Sequence, residues 1–218
     1  MRTLLKFSFA FMLLALLASC GGDKAKAAKT TDAVDAEATK TAASKSYALS
    51  EGTVHWTGSK IVGDDHKGTL NVTSGELSAE GNKIVSGNFT IDMKSLNNTD
   101  LAGDPDSKAK LEGHLKGADF FDVEKFPAAS FAVTSVKEAT GESSNYEITG
   151  NLTMKGETKS ITFPALVMAK DGGLTAHTDK FTINRTDWGV KYGSGLLGVA
   201  KDKAISDDVV LEITLMAK

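Results

Sequence analysis

From Val54 to the C-terminus, apolar and polar residues alternate with a period of two. At 84–93, Val85, Gly87, Phe89, Ile91 and Met93 share one face, and Ser86, Asn88, Thr90 and Asp92 share the other. At 146–155 the dry face is Tyr146, Ile148, Gly150, Leu152 and Met154; at 209–217 it is Val209, Leu211, Ile213 and Leu215. Weaker versions recur at 53–61, 67–73, 129–136, 160–169 and 174–184. Such alternation marks antiparallel strands with one dry and one wet side. Polar or glycine-rich turns, at 141–145 and 171–173 for example, punctuate it, so the pattern predicts about eight strands.

One interval breaks the rhythm. Asp104 is placed to cap a helix that begins at Pro105, runs to Lys116 and ends at Gly117. Leu111 and Leu115 lie one turn apart on it, and Glu112 and Lys116 form a favourable i,i+4 pair. The fold class is therefore all-β: an antiparallel barrel of about eight strands with one short helix at 105–116. Eight strands enclose an interior that side chains fill or that holds one ligand. Gly58, Gly87 and Gly150 fall on predicted inner faces. They either open a gap for a ligand or relieve strain at barrel bends.

The N-terminal fifth reads differently. Arg2 and Lys6 precede an apolar run from Phe7 to Ala18, too short to span a bilayer comfortably, which predicts an export signal over 1–19. The run ends in Leu17-Ala18-Ser19-Cys20, similar to the lipobox of bacterial lipoproteins, in which the cysteine thiol receives the lipid. Cys20 is the one cysteine in the chain, so no intrachain disulfide is available, and lipid attachment at Cys20 is the economical use for it. Residues 20–45 mix alanine, threonine and alternating charges around the single large apolar Val34, and predict a flexible tether without a docking face. The folded domain is then expected at 46–218.

Charge and motifs narrow the chemistry. The formal net charge is −3, and more negative once Arg2 and Lys6 leave, which argues against a nucleic-acid partner. Gly193, Gly195 and Gly198 match the spacing of a dinucleotide-binding turn. No continuous buried strand precedes them, and the 20 residues beyond cannot supply a crossover helix and a second parallel strand. These glycines are expected in a loop or bulge. His55, His66, His114 and His177 are scattered without metal-ligand spacing, and no G-x-S-x-G elbow occurs. No catalytic residue, cofactor or metal is expected. Asn71, Asn88, Asn151 and Asn184 match glycosylation acceptors but are read as wet-face strand residues.

A longer resemblance enters at the helix. The stretch 113-GHLKGADFFDVEKFPAASFAV-133 resembles the YceI-like family, as do 150-GNLTMKGETKSITFP-164 and 183-INRTDWGVKYGSG-195. The likeness covers roughly 47–218, in order and spacing. It implies a lipocalin-like barrel with a lengthwise apolar tunnel, which binds polyisoprenoid lipids such as quinones or prenyl phosphates in the bacterial periplasm. On that reading the tunnel is lined by Val54, Trp56, Leu70, Phe89 and Ile91, together with Phe131, Leu152, Phe163 and Phe181. Lys60, His114, Lys116 and Arg185 are the candidates for an anionic head group. Two departures bear on the head. No D-x-x-H-S stretch opens the domain, and Leu111 stands where many members carry arginine. The expected protein is a lipid-anchored carrier or store in the bacterial envelope, facing the periplasm or the exterior, and not an enzyme. The alternative is a non-binding envelope or stress scaffold with a filled barrel. Oligomeric state is left open.

Overall fold

The computed structural model describes residues 25–35, 43–81, 83–141 and 143–218; the signal-like segment and Cys20 lie outside them. Two short strands come first, β1 (Lys26–Ala27) and β2 (Lys29–Asp32). The long strands β3 (Lys45–Lys60), β4 (Asp65–Glu80) and β5 (Lys83–Asn98) lead to helix α1 (Pro105–Lys116). After it run β6 (Ala128–Glu138), β7 (Tyr146–Met154), β8 (Glu157–Lys170), β9 (Gly173–His177), β10 (Phe181–Asn184) and β11 (Ile205–Ala217). Strands β3 to β8 pair consecutively and antiparallel, and β11 returns beside β3. Both β9 and β10 pair with β11, against Leu174–His177 and Phe181–Asn184 respectively, so they share one wall position. Counted that way the barrel has eight strand positions, and β9 also pairs with β8 to close it.

The expected helix is present. The Asp104 carboxylate accepts from Ser107 N at 3.1 Å, Pro105 needs no N–H there, and Gly117 ends it. Glu112 turns inward to accept from Asn98 N at 2.7 Å, with Lys108 Nζ 3.7 Å away. Asn98 is fully buried and ties the ends of β4 and β5 together through Lys67 O and Asp100. The helix is thereby held across one end of the barrel. The glycine-rich stretch forms a turn and a short 3-10 segment, with Gly193 and Gly198 at positive φ (64° and 75°), and no crossover helix follows.

The segment expected as a tether departs from that expectation. Residues 26–32 lie in the barrel wall: β1 runs parallel to β10, and β2 antiparallel to β8. They bridge the seam left where β8 and β10 do not pair with each other. Past it, the Asn151 side chain clamps the Val34 backbone, accepting at 3.1 Å and donating at 2.7 Å. Asp32 lies 2.9 Å from Lys159, whose hydrogen bond holds its carboxyl below the usual range. The domain therefore begins near residue 26, not 46. The physical reason is the free backbone edge of β8 and β10, which binds any segment able to supply N–H and C=O groups. That edge does not need an apolar face on the segment it recruits.

Candidate functional site

Inside the barrel, the dry faces do not meet everywhere. A chamber of about 470 Å³ opens toward the α1 end, and a second space of about 80 Å³ lies toward the other end. Val54, Ile91, Phe131, Phe163 and Ile213 face both, so they form the waist between them. Phe131 and Phe163 have ring centroids 5.5 Å apart, and Phe163 stacks on Phe181 at 4.7 Å and 5°.

The structure places the expected lining residues as follows. Val54, Trp56, Leu70 and Ile91 face the larger chamber, as do Phe131, Leu152, Phe163 and Phe181. Phe89 faces the smaller one. Trp56 lies against Gly68, where a side chain would collide with the indole, and its Nε1 is enclosed with no acceptor among the described residues. Of the three inner-face glycines, only Gly58 opens onto space, with no atom within 4 Å of an added Cβ. At Gly150 a Cβ would collide with the Phe131 ring, and at Gly87 it would lie 3.0 Å from Leu77. Those two glycines accommodate neighbouring side chains across the wall and leave no gap for a ligand.

Head-group candidates separate in the same way. Lys60 and His114 sit at the open end, joined there by His66 and Lys203, which local sequence had given no reason to group. The His114 ring meets Tyr192 edge-on at 4.6 Å, and His66 Nδ1 lies 2.8 Å from Asp100. Lys116, on the last turn of α1, is not on the chamber wall. Arg185 does reach the wall but is 1 % exposed, with its guanidinium committed to protein. It donates to Ser206 O at 3.0 Å, Val190 O at 2.7 Å, Ile205 O at 3.3 Å and Asp207 at 3.2 Å. Burial pulls its pKa down, and Asp207 partly offsets that. Asp207 in turn accepts from Ser194 at 2.9 Å, so Arg185 staples the loop after β10 to the start of β11.

A closed antiparallel barrel around an apolar chamber with one polar-rimmed opening is a lipocalin-like architecture. The chain belongs to the YceI-like family: residues 26–217 match the YceI-like domain, a span that begins at β1. A Pseudomonas putida UPF0312 protein is 35 % identical over 147 residues, covering 64 % of this chain and 70 % of its own. Protein YceI of Salmonella arizonae is 39 % identical over 94 residues, 40 % of this chain and 48 % of its own. Among solved structures, Burkholderia cenocepacia BcnA superposes with a TM-score of 0.60 at 24 % identity, over 77 % of this chain and 96 % of its own. A polyisoprenoid binding domain from Saccharophagus degradans superposes with a TM-score of 0.59 at 17 % identity, over 79 % and 97 %. These two likenesses concern the fold.

Proposed function

We propose that the protein holds a long apolar lipid of the polyisoprenoid type in its barrel, as an envelope carrier or store anchored through Cys20. The observation that carries this reading is the chamber of about 470 Å³, whose wall is apolar except at a rim where Lys60, His66, His114 and Lys203 stand with Asp64. That volume falls within the ~300–1,000 Å³ of small-ligand sites. Each methylene buried there gains ~0.8 kcal/mol, so a few isoprene units offset the cost of immobilising a flexible chain. The head would rest at the rim among Lys60, His66, His114 and Lys203. A tail longer than the chamber would have to part Phe131 from Phe163. The lipid ligand named for the Saccharophagus degradans domain supports the same assignment. Nothing in the reading calls for a reaction step; binding and release suffice.

The scaffold alternative keeps one observation in its favour: beyond the waist only about 80 Å³ is open, so that half of the barrel is filled. Mass spectrometry of an organic extract of the purified protein separates the two readings. A prenyl lipid in stoichiometric amount is expected, and a lipid-free extract together with no uptake of added prenyl lipid would favour the scaffold. Anchoring has its own check. Wild-type protein should incorporate labelled palmitate in bacteria, and Cys20→Ala should incorporate none; labelling of both forms would sink the attachment at Cys20.

A further inference from the structure

We propose that the loop tips beside the chamber mouth form a membrane-contact site, through which the mouth dips into a lipid monolayer. Ile61, Val62 and Leu196 are 50 %, 59 % and 78 % exposed, with Tyr192 at 46 % on the same loop as Leu196. They make up four of the six large apolar side chains exposed among the described residues, although they come from two loops far apart in sequence. The loops are joined: Ile61 N donates to Ala204 O at 2.9 Å, Ile205 N donates to Gly193 O at 2.8 Å, and a Cβ on Gly195 would lie 3.4 Å from Ile61 Cδ1. The residues that follow or precede these tips, Lys60, Lys203 and Ile205, line the chamber mouth. Apolar surface gathered at an opening, away from the core, marks an interaction site.

The partner is a bilayer. The patch is continuous with a mouth that leads into an apolar interior. The exposed lysines of the same loops, Lys60, Lys191, Lys201 and Lys203, have stems long enough to lie along lipid while their ammonium groups stay in water. This inference rests on the lipid-carrier reading and gives it a route: lipid enters the chamber without crossing water.

The test uses the chain from Gly21 onward, made without signal segment or lipid, since every described strand lies within it. Ile61, Val62 and Leu196 are replaced together by serine; none of the three lines either chamber. Co-sedimentation with vesicles of phosphatidylethanolamine and phosphatidylglycerol should fall about tenfold or more. Transfer of a fluorescent prenyl lipid between vesicles should slow by a similar factor, with solution affinity for the probe unchanged. Equal sedimentation of both proteins would overturn the proposal, as would loss of a concentration-dependent dimer in the variant in place of vesicle binding. Failure of both proteins to take up the probe would defeat the carrier reading, while sedimentation still decides the tip.

Discussion

Gly58→Phe should abolish lipid uptake and leave the barrel folded. Gly58 faces the larger chamber near the mouth end of β3, paired with Val209 on one side and His66 on the other. Nothing lies within 4 Å of an added Cβ, so a phenylalanine side chain leaves the wall without a backbone or Cβ clash and projects into the space a ligand would occupy. Replacing glycine within a strand removes backbone entropy from the unfolded chain, which favours the variant by some tenths of a kcal/mol. Titration with a fluorescent prenyl lipid should show affinity down tenfold or more, beside a thermal transition at or above that of wild type. Gly150→Leu is the contrasting case. Its side chain meets the Phe131 ring and Ala132 O, so overpacking lowers stability by ~1–3 kcal/mol. A well-folded Gly58→Phe protein with unchanged affinity would show that the chamber is not where lipid binds.

Arg185→Met should be the most destabilising single change in the mouth region. Methionine fills much of the arginine volume but leaves the carbonyls of Val190, Ile205 and Ser206 and the Asp207 carboxylate without their donor. Removing one member of a buried ion pair costs ~3–5 kcal/mol. In a chain of this size each kcal/mol moves the transition by ~2–4 °C, so Tm should fall by about 10 °C. Arg185→Lys should recover little of the loss, since an ammonium cannot reach several divergent acceptors from one point. A melting temperature within a degree or two of wild type would contradict the structural role and return Arg185 to the head-group candidates.

How much of the site was legible depended on how local its cause was. Alternation places Phe89, Ile91 and Leu152 on inner faces, because a strand's pleat turns successive side chains to opposite sides whatever the strand packs against, while Val54, Trp56, Phe131 and Phe163 enter the lining through the family resemblance. Gly87 and Gly150 fall on the same faces, but alternation leaves open whether they make a gap. Whether a missing side chain leaves a void depends on the neighbour across the ladder, here Phe131 and Leu77, which alternation does not specify. Arg185 is, by sequence, one of four candidates for the head group. Its four acceptors come from residues up to twenty-two positions away, so its commitment to protein could not be seen locally.

The sequence by itself determined the class of fold, the helix with its caps at Asp104 and Gly117, and the loop character of the Gly193 stretch, each of which follows from residues in contact along the chain. Tertiary structure alone decided the rest. Residues 26–32 have no apolar period, yet they complete the wall, because the unpaired edges of β8 and β10 supply the hydrogen bonds that make them strands. The chamber likewise belongs to no segment. Its open volume and its waist are what remains after side chains from eight separate strands have packed, and that remainder is set only when the barrel closes.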